Sequence, residues 1–250
     1  MSAKTILITG ASGGLGAALA RAQARTGAVL LLWGRDEVRL AQTASECRAL
    51  GADCRTGLFD IRDLDDMLAR LSAQDIETPI DLAIFNAGLG GSVSKDVIAE
   101  TPQKSRATAE VNFVAPVMGA NLLAEAMARR GGGQIVLIGS IAESYPLPMA
   151  PTYAATKAGL AMFAEALGIR MARHKVRVTL VSPGFIDTAM SRQVPQAKPF
   201  LMTADAAAAI ITRKIARGAR RIVVPWQFAV IRAASNLLPR VLVRAILGRA

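Results

Sequence analysis

The feature that most limits what this chain can fold into is an alternation. Short β-branched or aliphatic runs, "TILIT" from Thr5, "VLLLW" from Val29, "DLAIF" from Asp81, "QIVLI" from Gln134 and "VRVTLV" from Val176, are separated by longer stretches with helical periodicity. Leu15 to Thr26 and Asp36 to Leu50 are two such stretches, and Thr152 to Arg173 is a third. Repeated strand, helix, strand units imply an α/β fold with a parallel sheet covered on both faces. Further strands are expected at "DCRTGLF" (53–59) and at "RIVV" before Pro225, for about seven in all. No internal repeat or linker divides the chain, and 250 residues suit one α/β domain. "RRGGGQ" at 129–134 reads as a helix stop and turn, and "DLDD" at 63–66 as a favourable first helical turn.

Several function classes drop out on composition. No apolar run approaches the ~20 residues that a membrane-spanning helix needs. "MSAKTILITG" runs straight into a strand pattern without the basic and apolar regions of a signal peptide, so a cytoplasmic protein is expected. Cys47 and Cys54 are too few for a disulfide framework and lack metal-type spacing, so they read as buried or incidental thiols and no metal site is expected. His174, the sole histidine, sits at an expected helix end where a cation suits the dipole.

The net charge of +11 and pI near 10.6 open three kinds of partner: nucleic acid, a membrane surface or anionic ligands. Nine basic residues follow Asp205 and no acid does, so the excess is concentrated at the C-terminus. Beyond Pro225, Arg232, Arg240, Arg244 and Arg249 lie among aliphatic residues, with Trp226 and Phe228 at the start and Pro239 dividing the segment into two short helices. Such a segment can lie in a membrane interface, or it can cover the core or a subunit interface with snorkelling arginines; the sequence leaves both open. Nucleic acid is disfavoured, because aromatics make up only 4% of the chain and no reading motif appears.

The first strand ends in "TGASGGLG", which contains Gly10, Ser12, Gly14, Leu15 and Gly16. A glycine-rich turn between the first strand and first helix lets backbone N–H groups approach a pyrophosphate at the helix N-terminus. Its spacing is GxxxGxG, and a tight turn without a ligand is the plainer alternative. At the end of the second strand the chain reads Gly34-Arg35, where an acid would bond an adenosine ribose hydroxyl; an arginine suits a 2′-phosphate. Asp36 complicates this, although its better reading is a helix N-terminal residue. In "TYAATKAGL", Tyr153 and Lys157 stand four apart on an expected helix and share a face. Free phenol titrates near ~10, and a fixed lysine cation is expected to move it down towards the range of acid-base catalysis. Ser140, at the end of the fifth strand, can donate to a developing oxyanion.

These segments together resemble the short-chain dehydrogenase/reductase family. The likeness covers about Thr5 to Pro225 and rests on "TGASGGLG", "GRD" after the second strand, "FDI" at 59–61, "NAG" at 86–88, "VNF" at 111–113, "IGS" at 138–140, "YAATK" at 153–157 and "SPGFIDT" at 182–188, in the family's order. It implies a Rossmann-type doubly wound sheet, with 1–225 as a dinucleotide-binding catalytic domain and 226–250 as its basic C-terminal extension. It also implies a carbonyl or alcohol substrate exchanging hydride with NADP (NAD less favoured), and a homodimer or homotetramer. By the same resemblance Tyr153 is the acid or base, Lys157 holds the nicotinamide ribose, Ser140 orients the substrate oxygen and Asn112 fixes a water. Asp60 and Ile61 would contact adenine, Asn86, Ala87 and Gly88 would line the cofactor cleft, Pro183 and Gly184 would shape a loop, and Ile186 and Thr188 would hold the carboxamide.

Apolar residues in the segments after the fifth and sixth strands, Ile141, Leu147, Met149, Phe185, Met190 and Phe200, suggest an apolar substrate. Two alternatives stay open. One is a catalytically idle dinucleotide-binding regulator or scaffold on the same fold, and the other is NAD with Asp36 as its ribose ligand.

Overall fold

The computed structural model describes residues 4–90, 97–193 and 197–235. A seven-stranded sheet, parallel throughout, forms in the order β3-β2-β1-β4-β5-β6-β9. Its strands are β1 (Lys4–Thr9), β2 (Ala28–Gly34), β3 (Asp53–Leu58), β4 (Leu82–Phe85), β5 (Gly133–Ile138), β6 (Val176–Pro183) and β9 (Arg221–Val224). All seven runs expected from the sequence are present. Two short strands, β7 (Ile186–Asp187) and β8 (Met202–Thr203), pair with each other in the loops beyond β6.

The strands are apolar on both sides because both sides are covered. In β1, Ile6 and Ile8 belong to one core and Leu7 to the other, and all three are fully buried. Helices α1 (Gly14–Gln23), α2 (Glu37–Ala49) and α8 (Ala204–Ala216) pack on the first face, and α3 (Leu64–Glu77), α5 (Ala115–Arg129) and α6 (Pro151–Met171) on the second. The helix boundaries follow local chemistry. Asp36 caps α2 by accepting from Arg39 N at 3.0 Å, and Asp63 caps α3 by accepting from Asp66 N at 3.1 Å. Gly131 and Gly132 take positive φ after α5, the conformation that L side chains resist.

Helix α4 (Pro102–Ala109) passes through a π turn, Glu110–Val114, into α5. The whole run, Pro102–Arg129, is long and apolar enough to cross a membrane by length and composition, but half of its most apolar window is buried inside the fold. Leu123 and Met127 on it are core residues. A four-residue helix, α7 (Ala189–Arg192), precedes α8, and α9 (Gln227–Ser235) follows β9.

The start of the basic C-terminal segment is built into the domain. Phe228 on α9 is 7% exposed and packs edge-on against Phe185 and Phe200, with ring centroids 6.3 and 5.6 Å apart. A Cβ at Gly184 would stand 2.4 Å from the Phe228 ring, so the glycine admits that ring. Phe228 is therefore withdrawn from any interface, whereas Trp226 is 67% exposed. Of the residues on which the membrane or subunit reading rests, Arg232 lies on α9, and Pro239, Arg240, Arg244 and Arg249 lie outside the described residues.

Candidate active site

The strand order reverses between β1 and β4, so the loops leaving their carboxyl ends diverge and open a crevice. The glycine turn and Asn86-Ala87-Gly88 meet there. A Cβ at Gly10 would lie 2.8 Å from Ala87 Cα, and one at Gly16 would lie 2.1 Å from the Gly10 carbonyl oxygen. Gly10 and Gly14 also take positive φ, at 68° and 53°. Thr9, to which sequence reasoning gave no part, locks the turn to β4: its hydroxyl accepts from Asn86 N and Ala87 N, both at 3.0 Å. Asn86 Nδ2 in turn donates to the Thr9 and Gly10 carbonyls at 3.1 and 3.3 Å. Helix α1 begins in this turn with no side-chain cap and no acid in its first turn, leaving its N–H groups to meet an anion.

At the ends of β2 and β3 the charges are already sorted. Asp36 is held by Arg39 Nε at 2.7 Å as well as by the Arg39 amide, and Asp60 by Arg62 at 2.6 Å. These arginines hold both carboxyls below the usual carboxylate range, and the hydrogen bonds contribute most. Arg35 is exposed and makes no hydrogen bond among the described residues. Arg39, which the sequence reading passed over, reaches to 3.9 Å from where a Gly13 Cβ would stand, beside the glycine turn. Ser12 lies alongside Gly34, its side chain 3.2 Å from the position of a Cβ there. Ile61 packs on the second core.

The second half of the site gathers at the ends of β5 and β6. Ser140 stands two residues past β5 and caps the 3-10 turn Ile141–Ser144 by accepting from Ala142 N at 3.1 Å. Tyr153, on the first turns of α6, lies beside the Ser140 side chain, which favours its ionised form. Lys157, one turn on, is 5% exposed; its ammonium donates to the Ile138 carbonyl at 2.8 Å and lies 5.8 Å from the Tyr153 ring centroid. Burial brings Lys157 down to about 8, and the Glu143 carboxylate opposes that fall.

One expectation needs correcting here. Burial pushes the Tyr153 phenol up, and the Ser140 side chain, rather than Lys157, offsets part of the rise. The lysine cation is aimed at a backbone carbonyl and not at the phenol. The side chain of Asn112 is turned to the loop after β4: Oδ1 accepts from Leu89 N at 2.7 Å and Nδ2 donates to Leu89 O at 2.9 Å. Asn112 therefore fixes the loop after β4, from a π turn of the kind that recurs at functional sites.

Pro183 ends β6, and the loop beyond it folds back over the glycine turn. Thr188 Cγ2 lies 3.1 Å from where a Gly14 Cβ would stand, while its hydroxyl accepts from Ser191 N at 3.3 Å in a capping box. Ile186 is buried in β7. Cys47 and Cys54 are buried and free, and burial raises the Cys47 thiol to about 12.

The glycine crevice and the Ser-Tyr-Lys cluster thus share one edge of one sheet, an arrangement met in known proteins. A family model described as short chain dehydrogenase matches residues 4–199. An uncharacterised oxidoreductase of Myxococcus xanthus is 31% identical over 250 residues, which is all of this chain and 98% of that protein. A Comamonas testosteroni alcohol dehydrogenase described as specific for bulky-bulky ketones superposes with a TM-score of 0.80 at 27% identity, covering 95% of this chain and 94% of that one. A Sphingobium yanoikuyae short-chain dehydrogenase, solved with NADPH, gives a TM-score of 0.80 at 25% identity over 93% and 94% of the two chains. Sequence match, sheet order and site geometry agree, and the chain belongs to the short-chain dehydrogenase family of oxidoreductases.

Proposed function

We propose that the chain reduces an apolar ketone or aldehyde to the alcohol with NADPH, or runs the reverse oxidation. The observation that carries this reading is the meeting of Ser140, Tyr153 and a buried Lys157 beyond the end of β5. A phenol held protonated by burial is suited to give its proton to a carbonyl oxygen, and the Ser140 hydroxyl to donate to the same oxygen as charge develops on it. Bound NADPH would supply the hydride to the carbonyl carbon. Lys157, charged below about 8, would hold ribose hydroxyls and supply a proton towards Tyr153. A binding protein without chemistry has no need of this cluster.

The crevice fits a dinucleotide, because Gly10, Gly14 and Gly16 leave room that a side chain would fill. The α1 N-terminus and Ser12 would take the pyrophosphate, and Asp60, Ile61 and Asn86 to Gly88 would flank the adenosine and nicotinamide halves. Preference for NADP is supported by the charges at the end of β2. Asp36 is occupied by Arg39 and by its capping role, and Arg35 is free of hydrogen bonds among the described residues. Phe185, Met190 and Phe200 support an apolar substrate, and the similar Comamonas enzyme is described as acting on bulky ketones. Family membership also supports a homodimer or homotetramer.

The test is turnover of a panel of apolar ketones and aldehydes with NADPH, followed by cofactor absorbance, in the natural protein and in Tyr153→Phe. Loss of the proton donor is expected to lower kcat by roughly 100-fold or more while NADPH still binds. Turnover that survives unchanged in Tyr153→Phe would defeat the reading.

A further inference from the structure

One buried acid has no part in the chemistry above. Glu143 stands three residues past Ser140, and its side chain is 3% exposed. A buried carboxylate is costly unless its charge is met. Arg221 at the start of β9 meets it at 2.5 Å, and the Ser182 hydroxyl near the end of β6 lies 2.9 and 3.0 Å from its two oxygens. The carboxylate folds against the backbone of Gly139, where a Cβ would stand 2.9 Å from Glu143 Oε2. Gly139 adjoins both Ile138, whose carbonyl holds Lys157, and Ser140. Glu143 therefore ties the turn after β5 to β6 and β9 at the point where Ser140 and Lys157 are placed.

We propose that Glu143 is a positioning residue that holds Lys157 in its charged form and fixes Ser140 at the end of β5, with Arg221 moderating its field. Among the described residues, few groups face Lys157. They are Tyr153 from its own helix, the Ile138 carbonyl from β5, Ser140 and Glu143 from the following turn, Gly88 from the loop after β4, and the neutral amide of Asn112 from the π turn. Among them Glu143 carries the one fixed negative charge, and its attraction opposes the desolvation that lowers Lys157. The sign follows from linkage. The unfolded chain keeps this proton up to the ordinary value of 10.5, so charged Lys157 costs stability below about 8, and stability rises as pH climbs between the two values. Glu143 reduces that cost.

The test is an NMR titration of ligand-free protein carrying 13C at lysine Cε, with Lys157→Arg assigning one signal among the seven lysines. Glu143→Gln preserves shape and removes charge, and the Lys157 midpoint is expected to fall by roughly one unit. Arg221→Gln leaves the carboxylate without its cation, and the midpoint is expected to rise. Opposite movements support the proposal; no movement, or movement in the same direction, overturns it in favour of a scaffold role. Where a single variant fails to fold, Glu143→Gln with Arg221→Gln leaves neither charge unpaired. Its midpoint is expected below that of the natural protein, and an unchanged midpoint overturns the proposal. The consequence for turnover rests on the oxidoreductase reading, but the titration needs neither cofactor nor substrate. A failed titration therefore rejects the role of Glu143 and leaves that reading standing, while absence of turnover does the reverse.

Discussion

The two halves of the ligand edge are made of different material. The β1–β4 crevice is made by backbone: Gly10, Gly14 and Gly16 let chain approach chain, and Thr9 and Asn86 lock the approach with hydrogen bonds. The β5–β6–β9 end is made by side chains that come from far apart in sequence. Glu143 and Arg221 are 78 residues apart, and Phe228 closes over Gly184 from a helix near the end of the described chain. A region made by missing side chains tolerates no additions, and a region made by meeting side chains tolerates no removals.

The largest expected effect of breaking that contrast is at the side-chain end. Phe228→Ala should cost about 3–5 kcal/mol in denaturant unfolding, as other buried phenylalanines do, whereas Trp226→Ala next to it should stay within about 0.5 kcal/mol. Equal losses at the two positions would make α9 a peripheral element. At the backbone end the damage should come from addition. Gly16→Ala forces a Cβ to within 2.1 Å of the Gly10 oxygen and should cost about 1–3 kcal/mol together with NADPH affinity. Gly27→Ala, where nothing lies within 4 Å, should leave that affinity intact despite its positive φ. A cofactor titration of both variants distinguishes them.

The smallest effect sharpens the contrast instead of breaking it. Arg35→Ala touches neither packing nor backbone, and should weaken NADPH by about 10–100-fold, the worth of one or two charged hydrogen bonds, with little effect on NADH. Equal losses for the two cofactors would remove Arg35 from any role in selecting NADP.

The same division explains what could be read from the sequence. The strands were legible because burial on both faces leaves runs such as Ile6-Leu7-Ile8 without polar interruption. The glycine turn was legible because its requirement is local, and Tyr153 and Lys157 because helical spacing joins them. Glu143 was not legible, since its partners Arg221 and Ser182 become neighbours only after β9 has been laid beside β6. Thr9 was missed because its contacts lie across a strand pair, 77 and 78 residues away. The direction of the Tyr153 shift was not legible for a related reason: burial of the phenol by the folded chain raises it, and the Ile138 carbonyl decides where the Lys157 ammonium points.

The measurement that most directly tests the account follows a label. With NADPH deuterated at the transferable position of the nicotinamide and an apolar ketone that the protein reduces, the alcohol is examined by mass spectrometry and NMR. Direct hydride transfer at this site predicts one deuterium on the carbinol carbon, delivered from a single face of the nicotinamide. Alcohol without deuterium on that carbon would contradict it.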